Sequence, residues 1–134
     1  MNGTRLMGEG PRRRILVVDD HADTRDMLVR MLRKGGFDAE PAGGKAKALE
    51  LCQQEHFDVM VADIGLADGS GLDLMREVSA ARPIKGIACS GFGTEEHIAA
   101  AKAAGFSAYL QKPISYSALW ETIERVLAGG PTVS

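Results

Sequence analysis

Four short apolar runs, each stopping at a polar side chain, leave this chain few folds to choose from. ILVV (15–18) stops at Asp19 and Asp20, FDVMVAD (57–63) ends on Asp63, IKGIACS (84–90) ends on Ser90, and SAYLQK (107–112) ends on Lys112. A short, nearly continuous apolar run bounded by turn signals belongs to a strand covered on both faces, as in parallel sheets. Phe37 to Ala42 reads as a fifth, weaker strand. The segments between the runs have helical spacing. Met27, Leu28, Met31 and Leu32 make one stripe, ended by Gly35 and Gly36. Lys45 to Gln54 carries Ala46, Leu49 and Cys52 on its apolar side, and Gly71 to Ala81 is bounded by Pro83. Thr94 caps the next helix, with Glu95 and Glu96 in its first turn, and Gly105 ends it. Ser115 to Leu127 turns Leu119, Ile123 and Val126 inward.

Five strands alternating with five helices predict an α/β fold, a doubly wound parallel sheet with helices on both faces. At 134 residues the chain is long enough for one domain, placed at 14–128. Residues 1–13, Gly-rich and basic, and residues 129–134 read as tails. In such sheets the ligand site lies at the carboxyl ends of the strands, near the switch in strand order. Asp19, Asp20, Asp63, Ser90 and Lys112 all fall there.

Any one of these residues has an ordinary explanation. An Asp pair after a strand is commonly a turn or a cap, and a lysine before proline is commonly a surface residue. Their order on successive strand ends argues otherwise. Two carboxylates about 5 Å apart repel by roughly 3 kcal/mol at an effective dielectric near 20. Such a cluster must take up protons or bind a cation, and hard oxygen ligands suit magnesium. Lys112 supplies a fixed positive charge, and Ser90 a neutral donor. The set has the chemistry of a phosphoryl site with a carboxylate nucleophile.

The net charge of −2 points to neither a nucleic-acid nor a membrane partner. No segment is apolar over enough residues to insert in a bilayer or to serve as a signal peptide. Cys52 and Cys89 belong to no metal or redox spacing and read as two buried thiols in a reducing cytoplasm. His21 follows the Asp pair, but imidazole is a poor partner for magnesium, so it reads as a loop histidine. His56 and His97 read as solvated helix residues.

ILVVDDHADTR, VADIGLADGSGLDL, IACSGFG and AYLQKPI together resemble the receiver domains of two-component signalling, of the chemotaxis-regulator type. The likeness runs from about Arg14 to Leu127. DIGLADGSGLDL and SGFGTEEHIAAAKAAGF most resemble receivers of hybrid sensor histidine kinases. The resemblance implies the flavodoxin-like strand order 2-1-3-4-5 and a phosphoacceptor switch rather than a turnover enzyme. It implies Asp63 as phosphoacceptor, and Asp19, Asp20, Asp63 and the carbonyl of Gly65 around Mg2+, with Mn2+ as an alternative. Ser90 and Lys112 would bind phosphoryl oxygens, Tyr109 would move with Ser90, and Lys112–Pro113 would be cis. The phosphodonor would be a histidine kinase or a histidine phosphotransfer protein.

Some positions depart from the family pattern. Ala67 stands where proline is frequent, Phe92 follows Ser90 by two residues and could shield an acyl phosphate, and Gly86 interrupts a strand, marking close packing or a bulge. The output face would be the fourth helix, fifth strand and fifth helix. Ala108 before the switch aromatic and a lone Arg125 in the last helix point to a protein partner there rather than DNA. Trp120 in that helix could report on the face or simply pack. Three rivals remain. A flavin carrier would need a phosphate loop where DDHAD stands, an aspartyl phosphatase would need DxDxT, and an inert scaffold would not need every chemical position filled.

Overall fold

The computed structural model describes residues 12–129, so nearly all of the two expected tails lies outside the described residues. Strands β1 (Arg14–Val18), β2 (Asp38–Ala42), β3 (Val59–Asp63), β4 (Lys85–Ser90) and β5 (Ala108–Gln111) form one parallel sheet in the order β2-β1-β3-β4-β5. Helices α1 (Ala22–Lys34), α2 (Lys45–Gln54), α3 (Gly71–Ala81), α4 (Glu95–Ala104) and α5 (Tyr116–Ala128) connect and follow the strands. This is the doubly wound architecture expected from the alternating pattern, with the implied strand order. An antiparallel hairpin, Gly65–Leu66 against Gly69–Ser70, was not expected. Two-residue strands are too short to leave any periodicity.

The pleat decides which helices each strand residue meets. Leu16, Val18, Met60, Ala62 and Ala88 face a layer built by α2, α3 and α4 through Ala48, Leu74, Met75, Val78, Ala101 and Ala104. Ile15, Val17, Val59, Val61, Ile87 and Cys89 face α1 and α5 through Leu28, Leu32, Leu119, Ile123 and Val126. Both faces are dry, which is why the strands read as continuous apolar runs rather than as alternation. The edge strand β2 tolerates Pro41 because one side of it needs no ladder partner. No helix among the described residues is long and apolar enough to cross a membrane.

Two details of the helical stripes differ from expectation. Met27 is 41% exposed, and the buried stripe of α1 is Leu28, Val29 and Leu32. Ala46 is exposed, and α2 turns Ala48 inward instead, with Leu49, Leu51 and Cys52 packed around it. At about 100° per residue a neighbouring position lies at the edge of the buried arc, and apolar character alone does not place that edge.

Gly86 is explained by close packing, not by a bulge. An added Cβ would lie 2.3 Å from Met75 Sδ and 2.8 Å from Phe106 Cδ1. Gly86→Ala should therefore lower stability by about 1–3 kcal/mol through overpacking. Urea unfolding reads this directly, and an unchanged midpoint would show that Met75 and Phe106 repack freely. Ala67 is the first loop residue of the hairpin, exposed, and without positive φ. That turn position accepts proline, so Ala67→Pro should stabilise by about 0.4–1 kcal/mol by restricting the unfolded chain. A lower melting temperature would mean that the turn does not accommodate the fixed ring.

Candidate functional site

Parallel strands all point their carboxyl ends the same way, so the last residues of β1, β3, β4 and β5 meet at one edge. Asp19 and Asp20 follow β1, Asp63 and Ser90 close β3 and β4, and Lys112 follows β5. Carrying the strand alternation one step further separates them. Asp19, Asp63 and Lys112 continue the α1/α5 side with Val17, Val61 and Leu110. Ser90 continues the opposite side with Ala88, and Tyr109 of the adjacent strand packs on that same side.

The first group is in direct contact. The Lys112 ammonium donates to Asp19 Oδ2 at 3.0 Å and to Asp63 Oδ2 at 2.9 Å. Asp19, Asp20 and Asp63 each present an oxygen within 4.8 Å of the others. Asp19 is buried, at 2% exposure. Burial pulls the Lys112 pKa down, but the hydrogen bonds to Asp63 and Asp19, with the charges behind them, outweigh it and hold the ammonium above the ordinary lysine value.

Backbone and side chains around the carboxylates hold them in place. Asp19 Oδ1 accepts from the His21 N–H at 2.9 Å, and the Asp19 carbonyl accepts from the Arg25 guanidinium at 3.0 Å. Asp63 Oδ1 accepts from the Gly65 N–H at 3.1 Å. Gly71 has to be glycine, because a Cβ there would fall 2.2 Å from the Asp63 carbonyl oxygen. Its N–H closes the hairpin on the Ile64 carbonyl at 2.8 Å. His21 is the N-cap of α1, its Nδ1 accepting from the Thr24 N–H. Arg25 escaped the sequence reading because its role is a bond to a main-chain oxygen, which no motif marks.

The second group is tied to the β4–α4 loop rather than to the carboxylates. Ser90 is 5% exposed, and its Oγ accepts from the Phe92 N–H at 3.1 Å. The Ser90 carbonyl accepts from the Lys112 N–H at 2.7 Å. The Tyr109 hydroxyl donates to the Phe92 carbonyl. The Phe92 ring, 63% exposed, stacks on His97 of α4 with centroids 4.9 Å apart and planes 13° off parallel. Lys112–Pro113 is cis, as the resemblance implied. Trp120 lies elsewhere. It packs on Phe37 and Tyr116 and covers Gly35 at the end of α1, so its role is packing.

Cys89 is buried, whereas Cys52 is only half-buried, not the buried thiol expected from the sequence. Burial pushes the Cys89 thiol up to about 12 and raises Cys52 as well. The groups gathered at the strand ends are carboxylates and one ammonium. Three carboxylates against the one ammonium bonded to them leave an excess of negative charge, and each pair, within 4.8 Å, repels by at least about 3 kcal/mol at an effective dielectric near 20. A hard divalent cation removes that repulsion, and an all-oxygen set fits Mg2+. Asp19, Asp20 and Asp63 could hold it.

Comparison with known proteins agrees with this geometry. Residues 15–124 match the family model of the response regulator receiver domain. Over 117 residues the chain is 32% identical to the response regulator protein PilR of Pseudomonas aeruginosa, a match that takes in 87% of this chain and 26% of PilR. The chain thus spans about a quarter of that relative's length. A CheY-like receiver domain protein from Methanospirillum hungatei superposes with a TM-score of 0.84 at 30% identity, covering 89% of this chain and 96% of that one. A Burkholderia pseudomallei response regulator, solved with a phosphorylated aspartic acid, calcium ion and citrate, gives 0.76 at 28% identity over 86% of this chain and 66% of its own. The family match runs from the first strand nearly to the end of the last helix, along the same sheet whose edge gathers the carboxylates, and the chain belongs to the receiver domains of two-component response regulators.

Proposed function

We propose that Asp63 accepts a phosphoryl group from the phosphohistidine of a sensor kinase or a phosphotransfer protein, and that this resets a partner-binding face. One observation carries the reading: Lys112 bridges Asp63 and Asp19 beside a third carboxylate at the strand ends. The phosphorylated aspartic acid and calcium ion of the Burkholderia neighbour support it.

A carboxylate oxygen of Asp63 forms the new bond to phosphorus as the nitrogen–phosphorus bond of the donor breaks, its electron pair leaving on the imidazole. The Lys112 ammonium, already at Asp63, offsets charge on the phosphoryl oxygens. Ser90 Oγ accepts one bond from the Phe92 N–H, which leaves its own proton to donate to a phosphoryl oxygen. Asp19, Asp20, Asp63 and the Gly65 carbonyl would hold Mg2+, or Mn2+ on the same oxygen set. The metal, when bound, neutralises developing negative charge. The product stays on the chain, so the domain acts once per phosphorylation as a switch and is not a turnover enzyme. Two free thiols suit the reducing cytoplasm in which we place it.

Output runs through Ser90. The Phe92 backbone ties Ser90 to Tyr109: its N–H meets the serine and its carbonyl meets the tyrosine. Drawing Ser90 toward the phosphoryl group would release that link and alter α4, β5 and α5. Ala108 and the lone Arg125 of α5 favour a protein partner on this face over DNA-linked dimerisation. A flavin carrier is disfavoured, since DDHAD stands after β1 where its phosphate loop would be, and those carboxylates repel a phosphate unless a metal intervenes.

With Mg2+ and a small phosphodonor, the wild type should gain the mass of one phosphoryl group, and Asp63→Asn should not. Equal incorporation in both would remove Asp63 from the role. Fluoroberyllate should shift the amide resonances of Ser90, Phe92, Tyr109 and α4, and shifts confined to the acidic cluster would count against the output face. Mg2+ should also raise the melting temperature, with about 2.7 kcal/mol of stabilisation at a hundred times its Kd. Asp20→Asn should shrink that gain while melting higher than wild type without metal, because a like charge has been removed. Wild-type melting indifferent to Mg2+ would refute the cation site.

A further inference from the structure

Helix α2 has no cap of its own. Its N-cap residue is Gly44, in extended backbone, with no side chain to offer. The acceptor comes from 23 residues away: Asp68, in the turn of the hairpin after β3, takes the Lys45 N–H on Oδ1 at 2.7 Å and the Ala46 N–H on Oδ2 at 3.0 Å. The Ala46 and Lys45 amides hold the Asp68 carboxyl below its ordinary pKa. Gly44 makes the approach possible, since a Cβ there would lie 2.8 Å from Asp68 Oδ1. Lys45 is pinned further by its ion pair with Glu77 of α3 at 2.8 Å.

The base of the same hairpin belongs to the acidic site, through the bond from the Gly65 N–H to Asp63 Oδ1. The chain entering α2 belongs to it as well, because the Ala42 carbonyl accepts from the Asp19 N–H at 3.2 Å. A closed path results. It leaves Asp19 through Ala42 and the start of α2, crosses to Asp68, follows the hairpin to Gly65 and Asp63, and returns to Asp19 through Lys112.

We propose that Asp68 is a positioning residue: by clasping the first turn of α2 it fixes the hairpin that presents Gly65, and so sets the Mg2+ affinity of the acidic cluster. The inference rests on the cation reading given under Proposed function. A hairpin held before binding spares the ordering that a loose one would undergo on binding. Linkage makes the effect reciprocal, so an occupied site should tighten the start of α2 by the same factor.

Two variants of the whole chain separate positioning from simple capping. Asp68→Ala removes the clasp. Asp68→Ala with Gly44→Asp gives α2 a cap of its own but leaves the hairpin untied. In NMR titrations with magnesium chloride, Asp68→Ala should raise the Kd about tenfold, the lower end of what outer-shell partners of metal ligands contribute. The double variant should recover the wild-type melting temperature yet keep the raised Kd. An unchanged Kd in Asp68→Ala, or one restored by Gly44→Asp, overturns the proposal. If wild type takes up no Mg2+, the cation reading fails, and the tether is judged on metal-free amide exchange. Faster exchange at Gly65 in both variants then supports the clasp, and unchanged exchange overturns it.

Discussion

Three carboxylates meet at a place where like charge would scatter them, and hydrogen bonds from Lys112 hold two of them, Asp63 and Asp19, there. The lysine follows β5, its partners lie on β3 and after β1, and β4 stands between β3 and β5 in the sheet. The bridge therefore forms only when the strand order is complete. Asp19 is buried, so loss of the lysine would leave a desolvated charge without its counter-ion, among the costlier defects a protein can carry. The cluster keeps an excess of negative charge over its lysine. The ion pairs that join the strand ends and the carboxylates that could hold a divalent cation thus belong to one arrangement.

The rest of the structure keeps that edge rigid. Gly71 lets α3 begin against the Asp63 carbonyl, and Gly86 lets Met75 and Phe106 close on β4. Both are close approaches of packed elements that a methyl group would block. Between them β3, which carries Asp63, and its neighbour β4 are held from the α3 side, while α1 and α5 fill the other face with Leu28, Leu32, Leu119 and Ile123. A carboxylate positioned by packed strands needs little reorganisation to react.

Strand alternation gives the two halves of the site different neighbours. Asp19, Asp63 and Lys112 lie toward α1 and α5, whereas Ser90 and Tyr109 lie toward α3 and α4. The acidic cluster with its lysine and the Ser90–Tyr109 pair are set on opposite faces of one sheet. Ser90 ends β4 at the point where the two meet, since its carbonyl holds the Lys112 backbone and its hydroxyl holds the Phe92 backbone.

The fold and the gathering of polar residues at one sheet edge were legible because each signal is local. A continuous apolar run, a helical stripe and a polar residue at a strand end can all be read within a dozen residues, and a parallel sheet then has to gather those ends at one edge. What the sequence could not reveal depends on distance or on the main chain. Asp68 caps a helix that starts 23 residues earlier, Arg25 binds a backbone carbonyl, and His21, read only as a loop histidine, caps α1. The arcs of α1 and α2 shifted, with Met27 and Ala46 turned outward, because burial is set by the neighbouring elements and not by hydropathy. By itself the sequence determined the layered architecture and the identity of the acidic edge, since both follow from period and order along the chain. Only the tertiary structure decided which partner each of those groups holds, because such contacts form between segments whose separation in sequence carries no information about their approach in space.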